Sequence, residues 1–206
     1  MFRKIRARSK KRKKDIMELA TRLGMNYAPK DEYGLKKLLK DFDLFRTGHS
    51  RSIINLISHQ TGMESETSVF DYRYVIQAGN TPVKVEQTVV FIQSKRLSLP
   101  FFRIKPKNLF QRIGNYFRNK QPGQSQSREL FEDDYTVRFP DEGEWPQMVS
   151  DKLMQLFNDN KGIRVEGVGY FLILYRRKKV LPPEEWKPFH DLGQDIFDEL
   201  LRQQPS

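Results

Sequence analysis

The sequence predicts a single α+β domain in which amphipathic helices pack on a mainly antiparallel, twisted sheet. One observation is the alternation of two side-chain faces over 67–76, followed by a turn signal at 79–82 and a second predicted strand at 83–93, which together predict a β-hairpin. Another is a set of segments whose apolar residues recur at helical spacing. Because strands cluster in the middle of the chain and strict β-α-β alternation is missing, an antiparallel sheet is favoured over a parallel one.

The chain before this hairpin predicts two helices and an extended segment. Residues 15–23 repeat apolar side chains at helical spacing and are followed by Gly24, which fits a helix C-cap. A second, short helix is predicted over 34–42 from the same kind of spacing. Residues 51–61 are predicted to be extended.

The chain after the hairpin predicts further strands and helices. Residues 145–158 show the strongest helical pattern in the sequence. Residues 170–176 are apolar on both faces of a predicted strand, which is typical of a central strand. The elements predicted after the hairpin are a strand at 101–105, a helix at 106–120, a flexible loop at 121–128, a strand at 135–139, the helix at 145–158, strands at 163–167 and 170–176, and a last helix ending near Leu201.

The net charge of +11 is concentrated in two segments. Residues 1–14 hold nine Lys or Arg and no acid, and residues 87–128 likewise hold nine Lys or Arg and no acid. The rest of the chain therefore sums to −7, so a mildly acidic body carries two basic segments. We expect residues 1–14 to be a flexible basic arm and residues 15–206 to be the single domain.

These basic segments are the candidate sites, because clustered Lys and Arg bind phosphate backbones and anionic lipid. Over 101–120 they accompany apolar residues at helical spacing, the pattern of a basic amphipathic helix at a membrane interface. The alternatives are a solvated extension for 1–14, and an ordinary packed helix or a base-stacking surface for 101–120. The candidate surface-binding cations are Arg3, Lys4, Arg6, Arg8, Lys10, Lys11, Arg12, Lys13, Lys14, Arg103, Lys105, Lys107, Arg112, Arg118 and Lys120. The candidate apolar residues facing a membrane or partner are Leu109, Phe110, Ile113, Tyr116 and Phe117.

The sequence shows no recognisable catalytic, metal or cofactor site. It has no Cys, which excludes disulfides, thiol nucleophiles and cysteine metal sites, and it lacks a glycine-rich phosphate loop and a G-x-S-x-G motif. The three histidines, His49, His59 and His190, have spacings that match no common ligand motif. Ser50 follows His49, but neighbours in a strand point to opposite faces, so no catalytic pair is expected.

One polar pair lies on the predicted hairpin. Asp71 and Arg73 are two residues apart on one strand, so we expect them to share its outward face. A surface ion pair of little energetic weight and a polar binding face are both compatible with this spacing.

Several ordered motifs resemble a widespread family of uncharacterised prokaryotic proteins, over about residues 18–201. They begin with ELATRLGMNY at residue 18, continue with an F-D-Y-x-Y strand and an L-x-L-P-x-F segment, and end with VEG-x-G-x-x-L-x-x-Y-R. Lys107 stands where the family pattern has an acid. The resemblance implies a fold and no assigned activity. The matching residues are Phe45, Gly48, Asn55, Phe70, Asp71, Tyr72, Arg73, Tyr74, Leu97, Leu99, Pro100, Phe102, Pro106, Val165, Glu166 and Gly167.

We expect a non-catalytic binding domain that associates with an anionic surface, the inner membrane face, through its basic arm and basic amphipathic segment. Its partner would be anionic lipid or an unknown protein, with no cofactor. A nucleic-acid-binding protein that uses the same cations is the first alternative, and an enzyme with an unrecognised site, lined for example by Asp71, Arg73 or Glu166, is the second. Since no secretory signal or membrane-spanning segment is recognised, a cytoplasmic, peripheral location is expected.

Overall fold

An antiparallel sheet forms the centre of the structure, a computed structural model that describes residues 2–32, 34–108, 126–139 and 149–204. Within these ranges the sheet has eight strands in the order β1-β2-β3-β4-β8-β7-β5-β6, and every neighbouring pair is antiparallel. With the helices on its faces, the predicted α+β class is confirmed. The strands are β1 Asn26–Lys30, β2 His49–Thr61, β3 Ser65–Ala78, β4 Thr81–Ser94, β5 Leu99–Pro106, β6 Tyr135–Arg138, β7 Ile163–Gly169 and β8 Phe171–Arg176.

The predicted hairpin is confirmed as β3 and β4, which pair without interruption from Ser65 opposite Ser94 to Ala78 opposite Thr81. β4 continues the sheet on its other side through five residue pairs with β8. The alternation in β3 separates two apolar faces, because Phe70 belongs to one core cluster and its neighbour Val69 to another. The sheet is therefore covered on both sides in this region.

Long helices cover one side, which we call the major-helix face. Their apolar stripes, with Ile16, Phe157 and Trp186 fully buried, pack on the strand residues that point to this side. The helices are α1 Phe2–Leu23, α4 Gln126–Asp134, α5 Asp151–Asp159 and α6 Trp186–Arg202.

Short helices cover part of the other side, which we call the short-helix face. They are α2 Leu35–Leu38, a 3₁₀ turn at Leu39–Asp41, and α3 Asp43–Arg46. The Asp31 carboxylate accepts hydrogen bonds from the first backbone amides of α2 and so caps it. Apolar residues of this segment, Leu39, Phe42 and Phe45 among them, pack on the aromatic residues of β3.

The structure differs from the expected elements at several places. Residues 2–14 are helical and continuous with the predicted helix at 15–23, rather than a flexible arm, because Arg, Lys and Ala are good helix formers and no Gly or Pro interrupts them. β1, α3 and α4 are not predicted from the sequence, and α4 begins inside the loop expected at 121–128. Pro106, expected in the helix at 106–120, is the last residue of β5, and most of that segment lies outside the described residues. The helix expected at 145–158 begins at Asp151 as α5, and residues 145–148 lie outside the described residues.

Gly48 is a position where the backbone requires glycine. Its φ is 66°, and a Cβ there would lie well inside van der Waals distance of the Val75 carbonyl oxygen. We expect Gly48→Ala to lower the free energy of unfolding by roughly 2 kcal/mol, measured by urea denaturation. Gly62→Ala is the matched control, because Gly62 has a φ of 65° and open space around it, and it should lose only about 1 kcal/mol. Equal losses in the two variants would contradict the proposed clash.

Candidate anion-binding surfaces

The helix α1 has two halves with different surroundings. In the C-terminal half Ile16, Leu19 and Ala20 are buried against the sheet. In the N-terminal half the described residues 7–11 are all exposed, and the first acid of the helix is Asp15. The exposed cations that the structure describes here are Arg8, Lys10, Lys11, Lys13 and Lys14, the last of which lies 3.5 Å from Glu18.

Arg12 is the exception among the cations predicted on this segment. Its Nε and Nη2 atoms each donate to the carboxylate of Asp71 at 2.8 Å, in the two-pronged geometry that favours Arg over Lys. Asn55 Nδ2 and Thr88 Oγ1 also donate to this carboxylate, at 2.9 and 3.0 Å. The Arg12 guanidinium lies over the Trp186 ring, 5.6 Å from its centroid. This side chain therefore fastens α1 to the sheet and is not part of the exposed cation set.

The expectation that Asp71 and Arg73 share an outward face is wrong for Asp71. Only 2% of Asp71 is exposed, because α1 covers this side of β3. Arg73 instead lies 2.8 Å from the Glu86 carboxylate on the neighbouring strand β4. The spacing places both residues on one side of the strand, but no pattern in the sequence indicates that a helix covers that side.

The acid-free segment contributes three predicted cations that the structure describes. Arg103 donates to the Asp43 carboxylate, Lys107 donates to the backbone carbonyl of Glu132, and Lys105 is partly buried on β5. The remaining predicted residues of this segment lie outside the described residues, namely Leu109, Phe110, Arg112, Ile113, Tyr116, Phe117, Arg118 and Lys120.

The sheet topology places further cations beside those of β5. In the antiparallel register Arg103 faces Arg138 on β6 and Glu166 on β7. The next residue, Ile104, faces Val165 on β7. Continuing this antiparallel register by one residue places Lys105 of β5 opposite Arg164 of β7. Because the alternating neighbours on these strands belong to the core on the major-helix face, the cations point to the short-helix face. We call the following set the sheet cations: Arg103, Lys105, Arg138, Arg164 and Arg177, which follows β8.

Lys105 shows the electrostatic effect of this set. Burial is the largest cause that lowers its pKa below the ordinary value for lysine. The positive charges of the four arginines, Arg103, Arg138, Arg164 and Arg177, lower this pKa further. The sheet cations are therefore close enough to repel one another.

Glu166 is a buried carboxyl group next to the sheet cations. Tyr175 donates its hydroxyl to this carboxylate at 2.7 Å, and the backbone amide of Asp43 donates to it at 2.8 Å. Burial raises the pKa of Glu166, while the Tyr175 hydrogen bond and the charge of Arg103 act in the opposite direction. Glu166 thus ties β7 to β8 and to the start of α3.

His49 and Ser50 lie together, contrary to the expectation that they point to opposite faces. Ser50 has a φ of 51° at an irregularity in the β2–β3 register, which turns its side chain toward the histidine. His49 Nδ1 and Ser50 Oγ are 2.9 Å apart. Both line an open cavity of about 430 Å³ that contains no carboxylate, so the third member of a hydrolase triad is absent from its described lining. The lining residues are Lys36, Lys40, Phe45, Gly48, His49, Ser50 and Arg51.

The other histidines have no shared site. His59 is exposed at the end of β2, and His190 Nδ1 lies 3.1 Å from an Asp191 carboxylate oxygen on α6. Among the residues that the structure describes, no three His, Asp or Glu side chains are grouped so that they could hold a metal ion. Within the same part of the chain, no helix is both long enough and apolar enough to cross a membrane.

Comparison with known proteins identifies a fold and no family. No protein-family model and no curated protein matches the chain. The crystal structure of the mycobacterial trehalose monomycolate transport factor A, TtfA, is similar to this chain. The TM-score is 0.59, and the match covers 94% of this chain and 96% of that chain. Sequence identity is 12%, so the likeness shows the fold alone.

Proposed function

We propose that this protein is a non-catalytic binding domain that associates with an anionic membrane surface, the cytoplasmic face of a membrane, through the N-terminal half of α1. The observation that supports it is a helix whose basic segment, residues 7–11, lies exposed ahead of the buried Ile16, while Arg12 fastens the helix to the sheet. Each Lys or Arg near an anionic membrane contributes about 1 kcal/mol of attraction. The sequence adds Phe2 and Ile5 among these cations, and such apolar residues favour a lipid interface over a purely ionic contact.

The attachment of α1 to the sheet would fix the orientation of the domain on a membrane. Because the Arg12–Asp71 pair and the packing of Leu19 and Ala20 hold the helix on the sheet, a membrane that binds its N-terminal half would also orient the domain. A flexible arm would tether the domain without orienting it. The cations of α1 lie on the major-helix face, whereas Arg103 lies on the short-helix face. We therefore assign the membrane contact to α1.

Co-sedimentation with vesicles tests this function. The full chain should bind phosphatidylcholine vesicles that contain phosphatidylglycerol and should not bind pure phosphatidylcholine, and added salt should weaken the binding. The variant Arg8→Gln/Lys10→Gln/Lys11→Gln keeps Arg12 and should bind roughly a hundredfold more weakly, because three charges are lost.

The control removes the same charge from another place. Lys36→Gln/Lys37→Gln/Lys40→Gln changes three exposed lysines on the short-helix face and should bind as the native chain does. Equal loss in both triple variants would show that net charge, not α1, drives binding and would overturn the proposal. Binding to both vesicle types, or to neither, would overturn it too. Salt-dependent binding of a DNA or RNA oligomer without vesicle binding would replace it by the nucleic-acid alternative.

A further inference from the structure

The sheet cations form an unusual pattern for a β-sheet. Arg103 and Arg138 face each other on neighbouring strands, and like charges in directly opposite positions destabilise an antiparallel pair. Lys105 and Arg164 repeat the arrangement across the β5–β7 pair. A fold gains nothing from two adjacent like-charged pairs, and departures of this kind from local rules concentrate at functional sites.

The strands hold these cations at defined separations. β7, β5 and β6 are consecutive in the sheet, so their side chains on one face span about 10 Å across the strands, and Arg103 and Lys105 are about 7 Å apart along β5. Lys105, Arg103 and Arg164 are all partly buried, which limits the freedom of their side chains. An area of this size can bind one or two phosphate groups, but it is too small to bind an extended anionic surface.

Among the described residues, nearby carboxylates pair with only one of the sheet cations, Arg103. Asp43 binds Arg103, and Glu166 accepts from the Tyr175 hydroxyl and from a backbone amide. In the described part of the chain no ion pair involves Lys105, Arg138, Arg164 or Arg177. The buried Nε of Arg103 has no hydrogen-bond partner there either. Donors and positive charge are therefore available to a ligand.

We propose that the sheet cations are a second, separate binding site, on the short-helix face, for a ligand that carries one or two phosphate groups. Arginines present planar forks of N–H donors that match phosphate oxygens, and Lys105 adds a point charge between them. Burial is the largest cause of the lowered pKa of Lys105, and repulsion by the four arginines adds to it. A bound anion would offset this repulsion. The phosphate belongs either to a free small molecule or to a lipid headgroup, and the two sources share this recognition chemistry.

Thermal unfolding with inorganic pyrophosphate tests the site. Pyrophosphate should raise the Tm of the native chain and of Lys30→Gln, an exposed control on the distant edge strand β1. Arg164→Gln and Lys105→Gln should lose this rise. Without pyrophosphate, both variants should have an unchanged or higher Tm, because repulsion among the sheet cations is reduced.

A readout at Lys105 itself separates binding from a structural role. Pyrophosphate should slow the modification of Lys105 by an amine-reactive reagent in the native chain, measured by mass spectrometry, and should not slow it in Arg164→Gln. An equal rise in Tm in all variants, with no protection of Lys105, would overturn the proposal. Lower Tm values for both variants without pyrophosphate, together with no effect of pyrophosphate on the native chain, would assign the sheet cations a structural role instead.

Vesicle binding distinguishes the two phosphate sources. Measured in the α1 triple variant, it also separates binding at the sheet cations from binding at α1. In the background of Arg8→Gln/Lys10→Gln/Lys11→Gln, phosphatidylcholine vesicles with phosphatidic acid are compared with pure phosphatidylcholine. Binding that Arg164→Gln abolishes indicates a lipid headgroup, whereas a response to pyrophosphate alone indicates a free ligand. A response to neither probe overturns the inference, and it does so independently of the vesicle result for α1.

Discussion

Replacing Arg12 by alanine is expected to lower the free energy of unfolding by about 3 kcal/mol, because it leaves the Asp71 carboxylate buried without its cation. The hydrogen bonds from Asn55 and Thr88 remain, but they donate from neutral groups and cannot supply a charge. The variant also loses the contact between the guanidinium and the Trp186 ring. Urea denaturation followed by circular dichroism measures the loss.

Two comparisons separate the ion pair from other effects of the Arg12 substitution. Lys13→Ala removes an exposed neighbour on the same helix and should change stability by less than about 0.5 kcal/mol. In a double-mutant cycle, Arg12→Ala added to Asp71→Asn should have a much smaller effect than Arg12→Ala alone, because no buried charge is left uncompensated. If Arg12→Ala lowers the free energy of unfolding as little as Lys13→Ala does, the Arg12–Asp71 pair does not fasten α1 to the sheet.

Replacing Glu166 by alanine is expected to have an effect of similar size, about 3 kcal/mol. Glu166 is fully buried, and its loss leaves the Tyr175 hydroxyl and the Asp43 amide without an acceptor. Arg103 loses an adjacent negative charge as well. Glu166→Gln keeps the shape and an acceptor oxygen, so it should retain more stability than Glu166→Ala in the same urea measurement. Equal losses in the two variants would mean that volume, not hydrogen bonding, matters at this position.

The same residue predicts a pH dependence of stability. Burial raises the pKa of Glu166 above its ordinary value of 4.5, so the folded chain holds this proton at a pH where the unfolded chain has released it. The native chain should therefore lose part of its stability as the pH rises from about 4.5 toward the folded pKa. Glu166→Gln lacks this contribution. A difference in unfolding free energy between the two chains that stays constant from acidic to neutral pH would contradict the prediction.

The sequence predicted the elements whose patterns are local. Alternation identified β3 and β4, and helical spacing identified the buried residues of α6 and the C-terminal half of α1. β1 was missed because Asn26-Tyr-Ala-Pro-Lys30 is short and contains a proline, which is unfavourable within a strand. The charge of the N-terminal half of α1 predicts a flexible arm, but its Arg, Lys and Ala residues are also good helix formers, and the structure shows a helix there.

The candidate sites depend on strand order as well as on local sequence patterns. Charge counting drew attention to Arg103 and Lys105, since both lie in an acid-free stretch. Arg138 and Arg164 lie in segments with acids nearby, and only the placement of β6 and β7 on either side of β5 brings them to the same face. The left-handed backbone of Ser50 is likewise fixed by the register with β3, which the sequence does not reveal. Strand order is thus the information that was missing.

The strand order has a consequence for the chain as it leaves the ribosome. β2, β3 and β4 follow one another and can pair as soon as they are made. The partner of β4 on its outer side is β8, which is synthesised only after β5, β6 and β7. Until then β4 presents an unpaired apolar edge that includes Val90 and Phe91. We expect a nascent chain that is stalled before β8 to depend on chaperones and to aggregate when released, whereas one that includes α6 should fold.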